Sequence, residues 1–327
     1  MTNNTTTSEA YTALRVWASA VSFIILAFFN LVINWTILRE ERLRNYARFV
    51  LVFYLLSSAL VYFAVCFGFY LQIYLEIQTS KSTCVALITI LTTSASNNLL
   101  TLTAMALDRY CAICFPLKYG SICFKQWPWL IGILTWAVAS IIPLTLFLKD
   151  SKEERFCRRE QLKQGEIQKI LLISICTALI LYSYVRILME GKRLGVLNRR
   201  NRVACKTIAL HGAQLAVYIL PNFISFVLHV LQTKGLLSIE EKEQFAVFNF
   251  VFFSLAQCIA PIVYGLRKEE LLEQLYQRFP CLSFRLKSVL EWTISLTHPQ
   301  RHSQTRERKL TSETLITGLA DVSQTSV

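Results

Sequence analysis

The chain has 327 residues, of which 54% are apolar, a mean hydropathy of +0.43 and a formal net charge of +13. That composition excludes an ordinary soluble domain, because runs of about 20 apolar residues are what a bilayer core demands. The positive balance reads as a topology signal and argues against nucleic acid as a partner, since Lys and Arg crowd the loops that alternate topology places on one side.

Seven apolar runs follow in order, at Leu14–Leu38, Phe49–Tyr74, Val85–Tyr110, Trp127–Leu148, Ile167–Met189, Thr207–Leu231 and Phe245–Leu266. A helix satisfies its own backbone in lipid, so the expectation is an all-α membrane protein, a seven-transmembrane-helix bundle. The basic loops place the N-terminus outside and the C-terminus in the cytoplasm. Residues 1–13 are then an extracellular leader without the basic and apolar regions of a signal peptide. Asn3 and Asn4 open overlapping glycosylation sequons there. A third sequon at Asn34 falls inside the first run, where no modifying enzyme reaches it. Asn30, set among apolar residues, is expected to bond a neighbouring helix. Arg15 is read as outside and solvated. The second run contains no acid between Phe49 and Tyr74.

The third run ends in Met105–Tyr119, MALDRYCAICFPLKY, where an acid and a base stand side by side at Asp108 and Arg109. A charged pair at the end of a membrane-length helix is costly unless it faces protein or water, so it reads as functional. Met105, Ala106, Asp108, Arg109, Tyr110, Ala112, Ile113, Cys114, Pro116, Leu117 and Tyr119 match in type and spacing the motif at the inner end of helix three of olfactory receptors. The chain therefore resembles that family of rhodopsin-like G-protein-coupled receptors. Ser183-Tyr184-Val185-Arg186-Ile187-Leu188 is similar to its helix-five motif, and Pro261-Ile262-Val263-Tyr264-Gly265-Leu266-Arg267 to the end of its helix seven. The sixth run is the poorest match, which points to a divergent branch of the fish type.

The resemblance implies the rest. Cys84 stands where the family places its outer disulfide cysteine, and Cys157 in the next outer loop is its implied partner. Asp108, Arg109, Tyr110, Tyr184, Pro261 and Tyr264 become the switch that couples to a heterotrimeric G protein, expected to be the stimulatory, olfactory type. Thr92, Ala95, Ser96, Gln168, Asn222, Phe223, Phe226, Phe250 and Phe253 become the pocket for a small, odorant-class ligand. Leu91 occupies the place of the acid that amine receptors use. Ser58 or Ala59 replaces an Asp, and Ala260 an Asn, of the superfamily's sodium site, so no metal and no cofactor is expected.

Residues 14–266 form the receptor domain. Within 267–281, Leu272, Leu275, Tyr276 and Phe279 recur at helical spacing, as in a short amphipathic helix on the inner membrane surface. Cys281 beyond it is a palmitoylation candidate. Residues 282–327 are polar and read as a disordered cytoplasmic tail. No nucleophile–base pair, phosphate loop or zinc spacing marks an enzyme, and no repeat of charge-bearing broken helices marks a transporter. The competing expectation is a non-olfactory rhodopsin-like receptor for another small ligand. Either is a multi-pass protein of the plasma membrane.

Overall fold

The computed structural model describes residues 2–115, 119, 127–149, 166–193, 216, 219–221, 223–261, 271, 274–275 and 278–279. All regular structure among them is helical. Helix α1 (Thr2–Phe29) runs on through a π-turn (Asn30–Asn34) into a last stretch at Trp35–Arg39. Then come α2 (Ala47–Tyr74), α3 (Lys81–Cys114), α4 (Trp127–Lys149), α5 (Glu166–Arg193), the short apolar α6 (Ile219–Thr233) and α7 (Ile239–Pro261).

Among the described residues, four stretches are long and apolar enough to cross a membrane by themselves: Glu9–Arg39, Ala47–Tyr74, Ser82–Cys114 and Gln168–Arg193. Trp127–Ile141 and Ile219–Thr233 are further apolar stretches of helix, and α7 opens with Glu240 and Glu241 in its first turn. Helix α1 also starts at Thr2, well before the expected Leu14.

Helix α3 is the hub. It packs against α2, α4 and α5, while α1 lies between α2 and α7. Asn249 of α7 donates to the carbonyl of Pro221 at 2.8 Å and to Ser225 Oγ at 2.9 Å, which ties α7 to α6. Outward faces carry Ile24, Leu31, Ile133, Leu134, Leu171 and Leu181, all more than half exposed, as a lipid-facing surface requires.

Polar side chains fix the register of the helices. Asn30 donates to Leu26 O and Leu56 O, both at 2.9 Å, and accepts from Asn34 Nδ2 at 2.7 Å. This is the predicted inter-helix bond, and it leaves Asn34 only 8% exposed. The π-turn begins at the same Asn30; a backbone bond lengthened to i→i+5 is how such turns accommodate an intruding group. Ser58 of α2 donates to Asn98 Oδ1 of α3. Gly132 of α4 lets the ring of Tyr54 lie against its backbone, where a Cβ would stand 2.0 Å from the nearest ring atom.

The largest core gathers at the end of the bundle away from the N-terminus. Ile37, Leu43, Phe49, Leu55, Leu102 and Ile180 join there with Leu271 and Leu275, and Phe279 packs on them. Leu275 and Phe279 thus bury part of the apolar stripe foreseen after helix seven; Leu272 and Tyr276 lie outside the described residues.

Candidate functional site

Both expected functional regions involve α3, one at each end. At its N-terminal end Ser80 caps the helix, accepting from Thr83 N at 3.2 Å. Four residues later Cys84 is buried and disulfide-bonded. Cys157 lies outside the described residues. Cys66, Cys111, Cys114, Cys176 and Cys258 are not disulfide-bonded.

Between the N-terminal halves of α1, α3 and α7, α2 and α6 lies a cavity of about 270 Å³. Its walls include Tyr62, Tyr70, Ala95, Leu99, Phe250 and Phe253. A second chamber of about 200 Å³ adjoins it, sharing Tyr62, Tyr70, Ala95 and Leu99 and reaching Thr92, Ser96 and Lys169. Five expected pocket residues (Thr92, Ala95, Ser96, Phe250 and Phe253) therefore line the paired chambers. Three do not. Gln168, Phe223 and Phe226 are exposed on their helices and line neither chamber. Asn222 lies outside the described residues.

The residue that sequence reasoning misplaced is Arg15. Far from being solvated, it is 2% exposed and lines the larger chamber. Its Nη2 lies 3.4 Å from Glu243 Oε2 of α7, and its guanidinium stands 5.8 Å from the centre of the Tyr70 ring. A buried guanidinium needs such compensation, and an ion pair with a cation–π contact supplies it. The chamber floor is polar as well. Gln257 is 1% exposed and neither amide atom has a hydrogen-bond partner, and Asn98 Nδ2 is likewise unpartnered. Counting back along α3 finds Ala95 and Thr92, but nothing in the sequence announces that Arg15 on α1 turns inward.

At the opposite end Asp108 holds two partners. Arg109 Nη2 is 3.5 Å from Asp108 Oδ2, and Tyr119 donates to Asp108 Oδ1 at 2.6 Å. Tyr110 packs edge-on against Phe115 at 5.7 Å and Tyr182 at 5.9 Å. Tyr184 packs into the large core beside Met105 and Ile219. Pro261 is buried at the end of α7, and Tyr264 lies outside the described residues. The arrangement is a neutralised arginine at the foot of α3, held by an acid that Tyr119 also orients. Asn3 and Asn4 fall in the first turns of α1, and Cys281 lies outside the described residues. Among the described residues no group of three or more His, Cys, Asp or Glu is placed to hold a metal ion.

Comparison with known proteins converges on one family. The description "7 transmembrane receptor (rhodopsin family)" matches residues 29–264. Odorant receptor 131-2 of Danio rerio is 26% identical over 186 residues, which cover 52% of this chain and 57% of that protein. Olfactory receptor 14A16 of Homo sapiens is 27% identical over 207 residues, 57% of this chain and 64% of that protein. Olfactory receptor 2AG1 of Homo sapiens is 23% identical over 215 residues, 57% and 62% respectively. The chain thus spans less than two thirds of the length of each of these relatives.

Proposed function

Because the chain belongs to the rhodopsin family of seven-transmembrane receptors, and is therefore a multi-pass membrane protein, we propose that it is an odorant-type receptor. It binds a small ligand in the paired chambers and activates a heterotrimeric G protein of the stimulatory, olfactory type at the foot of α3. The observation that carries this reading is that one helix joins the two sites. Ala95 and Thr92 line the chambers, and Asp108 and Arg109 form the charged pair at the far end. Relatives named as odorant and olfactory receptors support the ligand class.

The N-terminus faces outward in this reading, and the basic loops and 282–327 face the cytoplasm of the plasma membrane. Asn3 and Asn4 carry glycans, Cys84 pairs with Cys157, and the 267–281 segment lies on the inner leaflet with Cys281 available for acylation. At rest Arg109 is held by Asp108. Ligand binding favours the state in which α6 swings outward and Tyr184 and Tyr264 turn toward Arg109. Only a difference in affinity between the two states drives that shift.

The test is a cyclic-AMP screen in cells expressing the full chain, using mixtures of alcohols, aldehydes, esters, amines and carboxylic acids. A ligand-dependent rise lost in Arg109→Ala supports the proposal. A response that survives in that variant at equal surface expression overturns it.

A further inference from the structure

The wall chemistry of the paired chambers is lopsided. The larger one contains a single ionised side chain among its described lining residues, Arg15, and the smaller one contains Lys169. Among the described lining residues of both chambers there is no acid. The carboxylate that meets Arg15, from Glu243, stands outside the lining and is 29% exposed, whereas Arg15 itself is 2% exposed. The two partners therefore differ in exposure. Arg15 lies in the wall beside Tyr70, while Glu243 lies near the start of α7 and is partly exposed.

We propose that this receptor selects small organic acids, with the ligand carboxylate taking the place of Glu243 on Arg15. This deepens the ligand-binding reading given above and rests on it. An incoming carboxylate restores the charge balance that Glu243 provides, so the buried guanidinium is never left uncompensated. The planar guanidinium also matches a carboxylate bidentately, and such charge-assisted bonds are about twice as strong as neutral ones. A neutral ligand must either leave the ion pair intact and gain nothing from it, or break it without replacement. A cation meets Arg15 and Lys169 with no acid among the described wall residues to receive it.

The remainder of the ligand is defined by the other lining groups. Phe250, Phe253 and Tyr62 offer apolar and aromatic surface for a short chain or ring. The two unpartnered amide atoms of Gln257 and Nδ2 of Asn98 offer one further hydrogen-bonding position at the floor. At about 270 Å³ the chamber takes a compact molecule. A short fatty acid or an arylalkanoic acid fits this description, and a second polar group at the far end from the carboxylate should tighten binding.

The test uses the purified full chain and reads thermal stabilisation, which does not depend on G-protein coupling. Probes are the straight-chain acids from butyric to octanoic and hydrocinnamic acid, each beside its methyl ester and its primary alcohol. Acids should stabilise the wild type at concentrations at least about tenfold below those needed for ester or alcohol, from the usual worth of a hydrogen bond to a charged group. Glu243→Gln removes the internal competitor and should shift acid affinity upward. Arg15→Gln removes the only cation among the described residues of the larger chamber and should abolish the preference for acids there. Since either change alone breaks a partly buried pair, the double variant Arg15→Gln/Glu243→Gln is the safeguard: it removes both members of that pair and should treat acid and ester alike.

Esters binding as well as acids, acid preference retained in the double variant, or no stabilisation by any acid would each overturn the inference. Acids that stabilise the protein selectively but raise no cyclic AMP would leave the inference standing and remove the signalling reading. Neutral odorants that signal while acids fail to bind would do the reverse.

Discussion

The sharpest structural prediction concerns Gly132 and Tyr54, where α4 meets α2. A Cβ at Gly132 would lie 2.0, 2.2 and 2.3 Å from three atoms of the Tyr54 ring. Carbon atoms sit comfortably at about 3.5–4.0 Å, so the ring or the helix must move by roughly 1.5 Å. The ring has little room to move. It packs edge-on against Phe53 at 5.5 Å and Trp129 at 5.9 Å, and its hydroxyl donates to Trp129 O at 3.3 Å. Overpacking of this kind costs about 1–3 kcal/mol. Against it stands the helix-propensity gain of Ala over Gly, about 0.8–1.0 kcal/mol. Gly132→Ala should therefore be destabilising by up to ~2 kcal/mol, a melting shift of several degrees for a domain of this size. In a Tyr54→Ala background the clash disappears and only the propensity gain remains, so the same substitution should become neutral or stabilising. Thermal unfolding of the four proteins of this double-mutant cycle in one detergent gives the coupling directly. Additive effects, with Gly132→Ala equally harmful in both backgrounds, would refute the argument.

Other predictions follow from other contacts. Cys84→Ala should reduce surface expression and thermal stability, since losing such a bridge typically costs about 2–5 kcal/mol; a Cys157→Ala variant should match it, and mass mapping of a non-reduced digest checks the pairing. Binding should be indifferent to sodium at fixed ionic strength, because Ser58 and Asn98 bond each other and Ala260 has no side-chain oxygen, leaving no carboxylate to offset a buried cation. A sodium-specific loss of affinity contradicts that. The cap of α7 should be acid-sensitive. Ser238 Oγ donates to Glu241 Oε2 at 2.7 Å and Ser238 N to the same atom at 3.0 Å, while Glu241 N donates back to Ser238 Oγ at 3.2 Å. The side-chain bond and then the backbone bond hold the Glu241 carboxyl below the usual range. Because the folded value is the lower one, the cap's contribution is complete above the unfolded pKa and is lost as pH falls through the folded one. Hydrogen-exchange protection at Lys242 N, which donates to Ser238 O at 3.1 Å, should fall over that window in the wild type and show no such step in Glu241→Ala.

The sequence made the helical architecture and the foot of α3 legible because both follow from local rules. Apolar length marks a span, and Asp108-Arg109 at a helix end marks a charged site. Asn30 was equally readable, since a buried amide in a membrane helix must bond something, and it bonds Leu56 O. Arg15 was not readable. Its position at the second residue of an apolar run fits a solvated flank as well as an inward-facing cation, and the contacts to Glu243 of α7 and Tyr70 of α2 decide between them. Gln257 and Asn249 stayed hidden for a related reason: an amide's facing on α7 depends on helix rotation, which a run apolar on most sides does not specify. Phe223 and Phe226 show the converse. Spacing from Pro221 counts residues along α6 but does not fix which of them face lipid, and both are exposed.

The most direct test of the central claim is ligand-driven nucleotide exchange on a purified stimulatory G protein by the full chain in lipid vesicles. The acid and odorant panels described above serve as ligands, with Arg109→Ala as the comparison at matched receptor density. The account predicts exchange that rises with ligand in the wild type and stays at the basal rate in Arg109→Ala, while thermal stabilisation by the same ligand is retained in both. Ligand-driven exchange of equal size in the two proteins, or none in the wild type with a ligand that stabilises it, would contradict the account.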